Sequence, residues 1–329
     1  MVRTTPPRPL DIAALFPELR DHTTTATRLH PHPGNPTSAD SSVAGPLLWP
    51  ADEPWPVCTD GRDHEVFDLL TPATVRLKRE IYGGAQARAD ATGVPYFLTD
   101  EERAQLPDLD FSEPESLLDH PIPLVPVAQL YRRDVPDFAG PDDTDLLQVL
   151  WCPHMHPDDG YNPRVRLYWR RGADVGRTLD APDEPAVVHE DSLPTPCVVH
   201  PEQVREYQYG ALLPADLDAR ISAWEEERED EYDYQSDLSL APGWKVGGFA
   251  SWSLSDPQPM DCVECGAAMT LLLAADSGEW EGRDGSWKPV EEAANASSNP
   301  TDVVIGRGYA LYVFRCPTSF DHPPATAMQ

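Results

Sequence analysis

Leu147-Gln148-Val149-Leu150-Trp151-Cys152-Pro153 recurs as Leu311-Tyr312-Val313-Phe314-Arg315-Cys316-Pro317, identical at four of seven positions. Each run is short and nearly continuously apolar up to its cysteine, the pattern of a buried strand. Working outward, Val43-Ala44-Gly45-Pro46-Leu47-Leu48-Trp49 matches Val246-Gly247-Gly248-Phe249-Ala250-Ser251-Trp252. A cysteine follows each tryptophan after nine or ten residues, at Cys58 and Cys262. A His-Pro follows each strand, at His156-Pro157 and His322-Pro323. Four landmarks in one order predict a β-rich α+β fold built by internal duplication, two related lobes joined by an acidic helical segment.

The same landmarks set expected boundaries. Residues 1–42 are polar and proline-rich and read as an N-terminal extension. Its apolar stripe, Ile12, Leu15, Phe16 and Leu19, is broken by Pro17. Lobe one spans 43–200 and carries a helical insertion at about 66–105, with Thr71 capping Pro72 at the start, and Gly83-Gly84 at the end, of a first helix. Thr99-Asp100-Glu101-Glu102 reads as a capping box. Leu124 to Tyr131, Leu146 to Cys152 and the alternating Val165, Leu167, Trp169 read as strands, Pro126 placing the first at an edge or bulge. Residues 201–240 form a helical linker, with Leu213, Leu217, Ile221 and Trp224 at helical spacing before the acidic run Glu225 to Tyr234. Such a run is a solvated helix end or linker rather than a cation site. Lobe two spans 241–329, with Phe249 to Leu254, Ala268 to Ala275 and Gly308 to Cys316 as strands and turns at Asp284-Gly285 and Gly306-Arg307-Gly308.

Composition narrows the function classes. Lys+Arg 25 against Asp+Glu 56 gives a net charge of −31, which repels phosphate backbones and attracts basic proteins or peptides. No stretch approaches the roughly 18 apolar residues of a membrane span. Met1 to Leu10 lacks a signal-like apolar core, so a cytoplasmic location and reduced thiols are expected. The 37 prolines predict short elements and long irregular connections.

In a reducing compartment six cysteines point to metal ligands more than to disulfides. Cys262-Val263-Glu264-Cys265-Gly266 has zinc-knuckle spacing, and Cys316 with His322 would complete a closed structural set. Lobe one offers an echo in Cys58, His64 and Cys152, with either His156 or His154 as the last ligand. Cys197 fits neither set and reads as a small buried hydrophobe. Trp49 and Trp252 read as core residues, whereas Trp280 and Trp287 have the better claim to a binding surface. The chain contains no dinucleotide fingerprint, Walker loop, nucleophile elbow or H-E-x-x-H. Cys152 beside His154 or His156 is formally a Cys–His pair, but sequence neighbours are not thereby a dyad.

The Val246-Gly247-Gly248 to Trp252 segment, the CxxCG, Leu271-Leu272-Leu273 and Gly308 to Phe314 resemble the YwqG-like bacterial family of unknown function. Gly45 to Pro50 and Leu146-Leu147-Gln148 are similar to that family's N-terminal half, so the likeness runs from about Val43 to His322. The family is distantly similar to the programmed cell death protein 2 group, dedicated chaperones for a ribosomal protein; the CxxC and L-Y-V-F-x-C-P are the point of likeness. The resemblance implies a duplicated β-rich fold, a toxin–immunity or peptide-binding role, and no catalytic residues. The resulting expectation is a non-enzymatic binding protein, chaperone-like or immunity-like, with a structural zinc in lobe two. The rival is a metal-dependent enzyme using an incompletely ligated lobe-one site.

Overall fold

The computed structural model describes residues 2–60, 64–65, 67–106, 120–228, 232–280, 285–294 and 296–329. The expected turn at Asp284 and the middle of the acidic run, residues 229–231, lie outside the described residues. Both helices and sheets are present, and the sheets are the more extensive.

The strands are β1 (Thr23–Arg28), β2 (His32–Pro33), β3 (Ser42–Val43), β4 (Val57–Cys58), β5 (Leu69–Leu70), β6 (Ile122–Pro123), β7 (Val125–Tyr131) and β8 (Leu146–Trp151). They continue with β9 (Val165–Arg170), β10 (Val188–His189), β11 (Cys197–Val198), β12 (Glu202–Tyr207), β13 (Lys245–Gly247), β14 (Thr270–Asp276), β15 (Ala310–Arg315) and β16 (Ala325–Met328). The helices are α1 (Ile12–Leu15), α2 (Pro72–Thr92), α3 (Asp100–Gln105) and α4 (Ala215–Glu226).

Two antiparallel six-stranded sheets dominate, ordered β2-β11-β3-β7-β8-β9 and β12-β1-β13-β14-β15-β16. Laid side by side, the two orders also share their register. On β7–β8, Pro126 faces Leu150 and Ala128 faces Val149, leaving Val127 as an inserted residue. On β14–β15, Leu271 faces Phe314 and Leu273 faces Val313, leaving Leu272 in the same place. A bulge turns two successive side chains to one face. Val127-Ala128 and Leu272-Leu273 accordingly all enter one core cluster. That cluster also takes Leu147, Val149, Leu311 and Val313, so the inner faces of the two sheets share a single core. Trp49 packs on the outer face of the first sheet with Leu150 and Cys152, and Trp252 on that of the second with Phe314.

The first strand crosses over. β1 precedes the first sheet in sequence yet lies between β12 and β13 of the second, while β11, the last strand of the first sheet in sequence, returns to lie between β2 and β3. Residues 1–42, read from the sequence as an extension, therefore supply β1, β2 and the start of β3, and the 201–240 linker supplies β12. The run of polar residues Thr23-Thr24-Thr25 carries no core-strand pattern, and the partners that bury Ala26 are distant in sequence.

Two other expectations need correction. Gly83-Gly84 does not end the first helix: α2 runs on to Thr92 and stops at Gly93 in the left-handed conformation. Two glycines cost about 1 kcal/mol each relative to alanine. The Thr71 cap and the buried Val75, Ile81 and Ala85 carry the helix across them. Phe249 to Leu254 is not a strand. Its amides are taken by side chains instead: Phe249 N–H donates to Glu206 Oε2 (2.8 Å) and Leu254 N–H to Gln329 Oε1 (3.3 Å). The Thr99 capping box forms as read, with Glu102 N–H on Thr99 Oγ1 at 3.2 Å and Thr99 N–H on Glu102 Oε2 at 2.8 Å. Pro17 separates α1 from a short 3-10 turn, Pro17–Asp21.

Buried charge holds the second sheet to its loops. Lys245 Nζ meets Glu206 Oε1 at 2.6 Å, with both side chains essentially inaccessible. The same carboxylate accepts the N–H groups of Ala241 and Phe249, so its lone pairs are satisfied from three directions. A Cβ on Gly248, at φ +76°, would lie 2.3 Å from Glu206 Oε2, which explains the second glycine of the Val-Gly-Gly motif.

Candidate metal centres

The ends of β8 and β15 each deliver a cysteine into a group of soft ligands. Cys58, His64, Cys152 and His156 form one group, and Cys262, Cys265, Cys316 and His322 the other. In each, all four ligating atoms lie within 4.8 Å of one another, so each group could hold a metal ion.

In the first centre, Cys58 closes β4 opposite Ile122 of β6. Cys152 extends the β8–β9 ladder by one residue through its N–H to the Arg164 carbonyl (3.0 Å). His156 bridges to Asn162, and its carbonyl accepts the N–H groups of Asp159 and Tyr161 at 3.0 and 2.9 Å, a tight turn that fixes the ring. His64 is brought alongside by Glu65 N–H donating to the Met155 carbonyl (3.0 Å). His64 Nε2 stands 3.4 Å from both sulfurs, and His156 Nε2 stands 3.9 Å from Cys58 Sγ. A tetrahedral zinc with bonds of about 2.3 Å to sulfur and 2.0–2.1 Å to nitrogen has sulfur–nitrogen edges of about 3.5 Å. The observed spacings fit that ion. All four side chains are buried.

The electrostatics agree with a cation-binding pocket. A hydrogen bond from the Cys152 thiol pulls the Cys58 thiol far down; His156 and His64 assist against the opposing effect of burial. Burial, then the neighbouring Cys58, pushes Cys152 far up. Without a cation the pair holds one proton between two sulfurs, and a divalent ion would let both ionise. His154 stands apart from the group of four, its ring 5.3 Å from that of His64. Burial drives it to about 3, so it is neutral. Of the two histidines that the sequence left open, His156 stands in the candidate group.

The second centre is a knuckle. Cys262 N–H donates to the Ala267 carbonyl (2.9 Å) and Gly266 N–H to the Cys262 carbonyl (2.8 Å), closing the loop over an Asp261–Ala268 bridge. Gly266 sits at φ +69°, a conformation that glycine adopts without penalty. Cys262 Sγ lies 3.3 Å from His322 Nδ1, and Cys265 Sγ lies 3.5 Å from Cys316 Sγ. Thr318 N–H points at Cys316 Sγ (3.4 Å). Burial opposes ionisation of Cys316, yet the amides of Ser319 and Thr318, the Cys265 thiol and His322 bring it to about 6. These amide donors escaped the sequence reading, because a backbone N–H has no residue-type signature. Cys265 is exposed and Val263 is 84% accessible, so this centre sits at the surface while the first is interior.

Cys197 is buried away from both groups, its thiol donating to the Pro300 carbonyl (3.3 Å), as a small core residue should. Trp287, expected at a binding surface, is buried beneath the Arg8 guanidinium, 3.4 Å from the ring centre. Among the described residues no helix is long and apolar enough to cross a membrane. No model of a known protein family matches the chain, and no curated protein matches it.

Proposed function

We propose that this chain is a non-enzymatic, zinc-stabilised binding protein, chaperone-like or immunity-like, that holds a basic protein or peptide in the cytoplasm. The observation that carries the reading is the double convergence of four soft ligands. Two thiolates and two imidazoles, or three thiolates and one imidazole, are a zinc donor set, and four protein ligands leave no position for a substrate. This weighs against the rival reading of a metal-dependent enzyme at the Cys58 centre, because His64 and His156 both reach it. The net charge of −31 supplies long-range attraction for a cationic partner.

On the same reading the two sheets are copies of one duplicated unit, each carrying a zinc at the end of its fifth strand in spatial order. The shared strand order, the shared bulge and the likeness to the YwqG-like family support this.

The test is capture from lysate by the immobilised chain, followed by reconstitution with the purified partner. A stoichiometric complex with a basic protein that survives about 150 mM salt, where charges are screened beyond about 8 Å, supports the proposal. Recovery of nothing, or of polycations that elute at that salt, removes it.

A further inference from the structure

The segment Arg3 to Arg8, Arg-Thr-Thr-Pro-Pro-Arg, lies without regular secondary structure against the second half of the chain. Its contacts are those of a bound peptide. Arg3 pairs with Glu292 (3.1 Å). Thr4 N–H and Oγ1 both donate to the Glu291 carboxylate (2.8 Å each), and the Thr4 carbonyl accepts Val290 N–H (3.0 Å). Thr5 N–H and Oγ1 both donate to Glu202 Oε2 at 2.7 and 2.6 Å. Arg8 stacks on Trp287 and donates to the carbonyls of Asp237 (3.0 Å) and Ser286 (2.9 Å). Main-chain capture, carboxylates for cationic ends and an aromatic platform for a guanidinium are the general means of recognising a basic extended segment. Prolines keep such a segment extended, which lowers the entropy lost on docking.

We infer that the groove formed by Glu202, Glu291, Glu292, Asp237 and Trp287 is a site for an Arg-x-x-Pro-Pro-Arg type segment of a partner protein. The chain's own residues 3–8 fill it in cis. This deepens the proposed function, since it rests on the partner being basic and names the surface that takes it. A tethered arm competes at millimolar effective concentration, so a partner must displace it, and binding is gated by release of the arm.

The experiment uses a fluorescently labelled peptide of residues 2–9 and three proteins: the full chain, a chain lacking residues 2–9, and full-length Thr5→Ala/Arg8→Ala. Circular dichroism checks that each is folded, and anisotropy reads binding. The truncated chain should bind the peptide at least about tenfold more tightly than the full chain does, by release of the cis competitor. An Arg8→Ala peptide should bind at least about tenfold more weakly, the loss expected of an arginine anchor stacked on an aromatic ring. If the truncation does not fold, the double variant takes its place with the same expected order. A folded truncated chain that ignores the peptide, equal binding by the Arg8→Ala peptide, or equal binding by the full and truncated chains overturns the inference. A captured basic partner that excess peptide does not displace also overturns it, leaving the proposed function standing. Peptide binding with no partner ever recovered removes the proposed function instead, and leaves the groove.

Discussion

Cys152 and Cys316 hold the same place in two different sheets. Each is the residue immediately after the fifth strand in spatial order, and each of those strands pairs with a neighbour bulged at the third residue, Val127 or Leu272. Each also sits beside the first-arriving cysteine of its half, Cys58 or Cys262, within one group of potential ligands. The two candidate metal-binding groups are thus placed by the sheet register and bring the loops after β4 and before β14 to the strand ends.

The placement of β1 should make the second sheet depend on the first part of the chain. Fragment 201–329 expressed alone should lack cooperative unfolding by circular dichroism, because its sheet is then missing β1 between β12 and β13, whereas fragment 1–200 keeps every strand of the first sheet. Mixed or co-expressed with fragment 1–200, it should recover that cooperativity. Independent cooperative folding of fragment 201–329 would contradict the exchange.

His156→Ala should remove the metal of the interior centre, whereas His154→Ala should retain it and show only the stability loss of a truncated buried ring. Elemental analysis of the two purified variants separates them. Equal metal loss in both would mean that His154 ligates the ion.

Lys245→Met should destabilise the fold by roughly 3–5 kcal/mol in denaturant titration, the usual cost of stranding one member of a buried ion pair. Glu206 would keep the Ala241 and Phe249 N–H groups but lose its counter-charge. The double variant Lys245→Met/Glu206→Gln should recover part of that loss. A single variant as stable as the parent would show that the pair is solvated.

Glu279 gives the clearest pH dependence. Burial raises its carboxyl to about 8, with Arg28 and the Trp244 N–H opposing and Asp276 and Glu292 assisting. The folded state therefore holds a proton that the unfolded chain has released. Stability from this group falls as pH climbs from the ordinary carboxyl value of about 4.3 through 8. Glu279→Gln should flatten that decline, so that the variant gains on the parent between pH 6 and 8.5 (about two to four units above the ordinary carboxyl value). Parallel melting-temperature curves for the two proteins would refute the assignment.

What the sequence made legible follows from range. Leu146–Trp151 and Ala310–Arg315 announced themselves because their burial is continuous along the strand. The eight residues of the two candidate groups were also readable, since cysteine and histidine spacing is local chemistry. β1 was not, because Thr23–Arg28 is buried by partners on β12 and β13, far along the chain. Phe249 to Leu254 misled for the opposite reason: its apolar residues look strand-like, but Glu206 and Gln329 satisfy its backbone with side-chain oxygens. The N-terminal arm read as a polar, proline-rich extension because the residues it contacts, Glu202, Asp237, Trp287, Glu291 and Glu292, are all some two hundred residues or more away.

The most direct test of the paired centres is X-ray absorption at the zinc edge on purified protein, with the metal-to-chain ratio taken on the same sample. Two zinc ions per chain are expected, sharing the five cysteine and three histidine ligands named above. The first shell should show sulfur at about 2.3 Å and nitrogen at about 2.0–2.1 Å. Cys265→Ser should reduce the ratio to one and lower the melting temperature, leaving the interior ion in place. A parent protein with no stoichiometric zinc, or with oxygen-dominated coordination, would contradict the two closed centres.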